Sequence, residues 1–344
     1  VWLLATLTAG CAGHAPVASS ASTQSSPSPS PSLPWALPWA SRLDIDNPLV
    51  GRVFDTASGQ FISVDALTAR VAESTDVFLG EQHDNPDHHR LQAALLDAMV
   101  HSGKRPSLVV EMLDRTDQAA IDAARAASPD DPDAIARASR WDHSGWPPWA
   151  LYRPVFAAAG AAHLPVVAAG LDRPAAHALV KDGMDSLDGS LVERFHLTEP
   201  LASSVGSRIR DEMRDAHCGL LPETMLDGMV AIQRARDAFL AAGVADATAG
   251  AVVIAGNGHA RTDSGAPAAF TRATGKRALS VAFVEVLPGK TRPGDYASSF
   301  GTTTPPFDVL WFTPRTSDTD HCDELRKAHP AVTPVPATDS PRRR

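Results

Sequence analysis

Tyrosine and cysteine are scarce, with two and three copies in 344 residues, and several familiar catalytic signatures are missing altogether. No GxSxG is present, so there is no nucleophile elbow of the strand–turn–helix kind. Without HExxH or CxxC, neither a zincin helix nor a paired-thiolate zinc or redox site can be built. GKT at Gly289 to Thr291 looks like the end of a phosphate-binding loop, but Val284 stands where its first glycine belongs and Arg292–Pro293–Gly294 follows instead of a helix. Basic charge is also lacking. The net charge is -9, and Arg342, Arg343 and Arg344 are the one basic cluster. A nucleic-acid binder needs a concentrated cationic face, so no nucleic-acid partner is expected.

What is present divides the chain. Residues 1–11, VWLLATLTAGC, are too short for a membrane-spanning helix, which takes about 20 residues. Ala9, Gly10 and Cys11 resemble the end of a bacterial lipoprotein signal, although Thr8 departs from the usual Leu. Cys11 is therefore the expected lipidation site, anchoring the protein to a membrane of the bacterial cell envelope, outside the cytoplasm. Residues 12–40, with SSPSPSPSLP, cannot bury enough apolar surface to offset chain entropy and read as a flexible tether. The folded unit is expected over 41–312, with a helical insertion or lid at about 114–245 and a disordered tail over 313–344. Cys218 and Cys322 are a possible disulfide in an oxidising compartment.

Within 41–312 the pattern predicts an α/β fold, a central parallel or mixed sheet flanked by helices. Residues 50–63 suggest a hairpin, and Val64 to Ser74 a helix. Apolar runs at 76–80, 107–112, 164–171, 250–255 and 279–286 read as buried strands, with an edge strand at 308–312. Pro86 suits a helix start, and Leu91, Leu95, Leu96 and Met99 recur on one face. In PETMLDGMVAIQRARDAFLAA, Met225, Met229, Ile232 and Phe239 share a face, and Arg234, Arg236 and Asp237 lie elsewhere.

The chemistry gathers at strand ends. VFLG runs into Glu81 and His83, SLVVEM carries Glu111, and AVVIAGNGHAR ends in Asn257, His259 and Arg261. In parallel sheets the carboxyl ends of strands open onto the ligand crevice, so Glu81, His83, Glu111 and His259 are expected to meet there. Imidazole with carboxylate suits either a divalent metal or proton transfer. Gly256 and Gly258 allow positive φ or close backbone approach. Arg261 supplies a cation, or else pairs with Asp263. His88 and His89 read as supporting or solvent-facing residues.

The blocks GEQHDNPDHHRLQ, VVEMLDRTDQ, WALYRP, HCGLLPETM, QRARDA and AGNGHARTDSGAP, in this order over about residues 76–285, resemble the ChaN family of haem-binding lipoproteins. That resemblance implies haem or iron uptake, with haem held face to face between two protomers of a homodimer and iron met by tyrosine. On that resemblance Tyr152, in the YRP block, is the candidate iron ligand, since Tyr296 lies outside the blocks. His83, His259, Arg153 and Arg261 are candidates for other cofactor contacts, and Trp146 and Trp149 for the porphyrin face. The GxxH start at Gly80 to His83, the later Glu and the late His also resemble the wider superfamily of erythromycin esterases, TIKI and TraB proteins, some of which are hydrolases. There the alternative is a hydrolase, His/Glu-dependent or using a divalent metal, working through Glu81, His83, Glu111 and His259.

Overall fold

A computed structural model describes residues 38–328, so Cys11, most of the Ser/Pro-rich stretch and the Arg342–Arg344 cluster lie outside the described residues. Eight strands form one mixed sheet: β1 Val53–Asp55, β2 Gln60–Ile62, β3 Asp76–Glu81, β4 Ser107–Asp114, β5 Val166–Gly170, β6 Ala251–Gly256, β7 Leu279–Glu285 and β8 Val309–Thr313. Their spatial order is β2-β1-β8-β7-β3-β6-β4-β5. The six strands from β8 to β5 are mutually parallel, and the β1–β2 hairpin adds antiparallel to β8.

The strands alternate between two apolar cores, which explains why they read as continuous apolar runs. Val77, Leu79, Leu108, Val110, Val252 and Ile254 face one core. Phe78, Val109, Ala251, Val253 and Ala255 face the other. The first core is covered by α1 (Val64–Glu73), α2 (Pro86–His101), α3 (Gln118–Ala127), α4 (Asp133–Ala138) and α5 (Trp149–Ala161). Beyond β5 the chain forms α6 (Arg173–Asp182), α7 (Gly189–Arg194), α8 (Ser203–Ala216) and α9 (Glu223–Ala245). Together with α10 (Ala266–Thr274), α9 covers the second core.

The helix after β3 thus packs on one face, and the helix after the adjacent β6 packs on the other. A crevice must open between their carboxyl ends, the place where open α/β sheets bind ligands. Asn85 starts α2 by accepting the N–H groups of Asp87 and His88, with Pro86 at the first helical position. Such a cap is worth about 1 kcal/mol.

Three expectations need correction. Strand β8 is interior, because the β1–β2 hairpin covers it, and the sheet edges are β2 and β5. The β5 edge is itself shielded: Gln118 donates to Val166 O at 3.0 Å and accepts from Ala168 N at 2.7 Å, replacing a neighbouring strand. The range 114–245 is not a separable lid, since it contributes β5 to the sheet and α9 to a core layer. The tail is ordered through residue 328. Leu43 and Arg315 exchange backbone hydrogen bonds, Arg315 pairs with Asp44 at 2.6 Å, and Asn85 donates to Pro314 O. It ends in α11 (His321–Ala328), which the Cys218–Cys322 disulfide fastens to the α8–α9 turn across 104 residues. Polar anchoring and the cross-link hold this stretch where apolar burial is sparse.

Candidate functional site

Strand direction decides which layer each acid meets. Glu81 continues the Val77–Leu79 side and enters the α2–α5 layer, whereas Glu111 continues the Val109 side and meets α9. Strand β4 leaves the β6 ladder after Val110, and the Glu111 carboxylate takes its place by accepting Gly256 N–H at 2.8 Å. His83 then spans the two strand ends. Its Nδ1 lies 2.9 Å from Glu81 Oε1, and its Nε2 lies 3.9 Å from Glu111 Oε2. The structure brings Glu81, His83, Glu111 and His259 together around one crevice.

Around Glu81 the partners fix each proton. Tyr152 donates its hydroxyl to Glu81 Oε1 at 2.7 Å, and Gln92 donates to Oε2 at 2.7 Å. His89 Nε2 donates to His83 O at 3.0 Å, while its Nδ1 faces two acceptors, Glu81 Oε2 and Gln92 Oε1, each at 3.2 Å. Two donor positions make His89 an imidazolium. Burial opposes that charge, but the Glu81 carboxylate outweighs it and raises the His89 pKa. Burial likewise opposes ionisation of Glu81, yet His89 and His83 hold it well below the usual carboxylate range. His83 is raised in the same way, against burial, by Glu81 and Glu111.

His88 and His89 are both fully buried, so the solvent-facing reading fails for each. His88 accepts Gln82 N–H at Nδ1 and donates from Nε2 to Thr313, a neutral tautomer. Burial drives its pKa down to about 3. The start of α2 is tucked beneath the strand ends, and that is what buries both rings.

A second lattice surrounds His259. Its Nδ1 lies 2.7 Å from Asp237 Oδ1 and its Nε2 lies 3.3 Å from Glu111 Oε1. Burial opposes the charge on His259, but the two carboxylates raise its pKa to about 10. One imidazolium cannot fully balance two acids. Burial would raise Glu111 too, but His259, His83 and the Gly256 N–H bring it to about 2. Asp237 therefore bears the desolvation and rises to about 6. Asp237, 4% exposed, lies off the face that the α9 apolar spacing predicts to be buried, whereas Met225 on that face is 41% exposed. The available signal was spacing: Gln233 and Asp237 are four apart, on one helical face, and both reach His259 Nδ1.

Gly256 acts by close approach. Neither Gly256 nor Gly258 has positive φ, but a Cβ on Gly256 would lie 2.8 Å from His83 Nε2.

Other expected contacts fall elsewhere. Arg153 is exposed and engaged by Asp133 at 2.9 Å, far from carboxylate-binding duty in the crevice. Arg261 is buried and spent on Asp263, Glu212 and Phe300 O. Tyr152 is 0% exposed. Burial and the neighbouring Glu81 push its pKa far above the usual phenol value, so its hydroxyl is an internal donor in this arrangement. Among the described residues, no group of three or more His, Cys, Asp or Glu side chains has metal-holding geometry.

Glu111 also borders an open hollow of about 700 Å³ at the carboxyl ends of β4 and β5. Arg140, His143 and Trp146 line it from the loop before α5, Leu171 and Arg173 from the start of α6, and Arg236 from α9. Trp146 packs on the His83 ring at 4.8 Å, joining hollow to crevice. Arg140 is paired with Asp117, and Arg236 lies within electrostatic reach of Asp114 and Asp237, whereas Arg173 makes no hydrogen bond or ion pair among the described residues. Guanidiniums, an indole wall and an imidazole can receive a flat molecule bearing carboxylates, on a rim that Glu111, Asp114 and Asp172 make acidic on its other side.

No curated protein matches the sequence. The solved structure described as cofacial heme binding to ChaN of Campylobacter jejuni is similar, with a TM-score of 0.57 and 18% identity, covering 75% of this chain and 95% of that one. An erythromycin esterase mutant in its open conformation reaches a TM-score of 0.43 at 12% identity, covering 75% and 95%. The first likeness shows the shared α/β fold. The family model described as haem-binding uptake, Tiki superfamily, ChaN matches residues 67–270, more than half of the chain, and the chain belongs to that family.

Proposed function

We propose that this protein binds haem in the hollow beside Glu111 and serves haem or iron uptake. The observation that carries the reading is the placing of Arg173 and Arg236 beside the Trp146 wall, in a chain of a haem-binding uptake family. A volume of about 700 Å³ lies within the roughly 300–1,000 Å³ usual for small-molecule sites. Arg173 and Arg236 would meet the propionates, and Trp146 and Leu171 would cover part of the porphyrin. The bound group would supply an iron centre. The protein would supply orientation, charge balance and exclusion of water from one face.

The same reading places the protein in the bacterial cell envelope, outside the cytoplasm, with lipid on Cys11 as its membrane anchor and a haem-bridged homodimer as its loaded form. The Cys218–Cys322 disulfide supports an oxidising compartment. Equilibrium titration with hemin tests the site: Arg173→Ala with Arg236→Ala should weaken binding by roughly tenfold or more, about 1.4 kcal/mol. Unchanged affinity would remove the propionate assignment.

One geometric feature favours a second reading, a His/Glu-dependent hydrolase. His83 Nδ1–H is held by Glu81, which leaves Nε2, in the neutral ring, as an acceptor 3.9 Å from Glu111 Oε2, so that one water beside the pair can bond to both. His83 would take the proton as that water attacks a carbonyl. Hydrolysis of an ester or peptide that vanishes in His83→Ala would support it, and no turnover across ester and peptide panels would reject it.

A further inference from the structure

The chain holds two tyrosines, and neither offers a phenolate at the surface. Tyr152 and Tyr296 are both 0% exposed. The Tyr152 hydroxyl is donated to Glu81 at 2.7 Å, inside the lattice. The Tyr296 hydroxyl accepts Leu287 N–H at 2.9 Å, and its ring packs on Phe312 in the second core. Resting on the haem-binding reading above, we propose that the haem iron is ligated by His143 and not by a tyrosine.

The other imidazoles near the site are committed. His259 has a carboxylate on each ring nitrogen, and His88 and His89 are buried with both nitrogens engaged. His83 has a free Nε2, but it lies 3.9 Å from Glu111 Oε2 and against the Gly256 backbone. A porphyrin needs clear space all round the ligating nitrogen, and this nitrogen has none. His143 is exposed, and its ring makes no hydrogen bond among the described residues. It stands between the 700 Å³ hollow and a second of about 280 Å³, so open space lies on both sides. Neutral imidazole is a common axial donor to haem iron.

The loop that carries His143 is built and not merely exposed. Arg140 has φ 51°, in the left-handed region that a non-glycine residue occupies only where its surroundings hold it there. Gly145, at φ 86°, makes the return turn, and a Cβ there would sit 3.6 Å from the Arg173 guanidinium. Between them Trp141 Nε1 donates to Pro147 O at 2.9 Å, Ser144 Oγ donates to Trp141 O at 2.7 Å, and Trp146 N–H returns to Ser144 Oγ at 3.1 Å. Backbone strain held by this network fixes His143 and Trp146 on the same rim, beside the guanidiniums. An iron ligand and an indole wall are thereby offered together.

The test is hemin titration of the intact protein, of His143→Ala, His83→Ala and Tyr152→Phe, followed by Soret absorbance and by resonance Raman of the ferrous complexes. The expected result is an iron–imidazole stretch in the parent protein that is lost in His143→Ala, retained in the other two, and recovered when free imidazole is added. Affinity should fall by roughly tenfold or more in His143→Ala. Because His143 is exposed, its variant should keep the parent circular dichroism. A phenolate signature in the ferric parent that Tyr152→Phe removes would overturn the proposal. So would an imidazole band that survives His143→Ala and disappears in His83→Ala. In both cases haem binding itself would stand. If the parent protein shows no saturable hemin binding, the haem reading falls and the ligand assignment falls with it.

Discussion

Glu81→Gln removes one charge from the buried lattice and keeps the shape, so its cost follows from the contacts. The Glu81 side chain has no exposed surface; it accepts from Tyr152, His83 and Gln92 and faces the His89 imidazolium at 3.2 Å. A glutamine there has one acceptor oxygen. Set toward Tyr152 and His83, it turns its NH2 onto the Gln92 amide and onto His89 Nδ1–H, donor against donor. Gln92 cannot rotate in response without losing Leu79 O, to which it donates at 3.1 Å. Stranding one member of a buried ion pair costs about 3–5 kcal/mol. The pH dependence follows from the two shifts. Glu81 is depressed from 4.5, so its contribution is present above that value and is lost as pH falls. His89 is raised from 6.5, so its contribution is full below that value and is lost as pH rises through the folded pKa. The penalty should therefore peak between about pH 4.5 and 6.5 and shrink toward about pH 9, where a neutral His89 can accept from the new amide. Urea unfolding of both proteins at about pH 5.5 and about pH 9, with slopes compared, measures it. A penalty below about 1 kcal/mol at the lower pH, or equal penalties at both, would refute the ion-pair account.

Two further perturbations probe other parts of the structure. Gly256→Ala should displace His83 by putting a methyl 2.8 Å from Nε2, at a stability cost of about 1–3 kcal/mol. Its crystal structure should show the imidazole moved, and an unmoved ring would contradict the close-approach role. Reducing the Cys218–Cys322 bond, or Cys322→Ser, should cost about 2–4 kcal/mol through the freed 104-residue span. Proteolysis should then begin in α11, whereas unchanged thermal midpoint and cleavage pattern would show that the polar anchors alone hold the tail.

How far the sequence disclosed this arrangement depends on what buries each residue. The central strands were legible because each is apolar on both sides, as Val77, Phe78 and Leu79 show by facing alternate cores. Glu81, His83, Glu111 and His259 were legible as a group because each sits at or just past such a run. Asp237, His88 and His89 were not, since polar residues on helices normally face water, and here reciprocal charge and hydrogen bonding draw them inside. The ordered tail was hidden for the same reason, because its anchors are Asp44, Asn85, Glu285 and a disulfide. Tyr152 was legible as a helical residue. What pulls its hydroxyl inward is Glu81, 71 positions earlier.

Titration of the intact protein with hemin, followed by Soret absorbance and by mass in solution, tests the central claim most directly. The account predicts a saturable Soret shift at about one haem per chain, with affinity in the micromolar range or tighter, about -8 kcal/mol, and a rise to the mass of a dimer on loading. A shift that never saturates, together with a mass that stays constant, would contradict it.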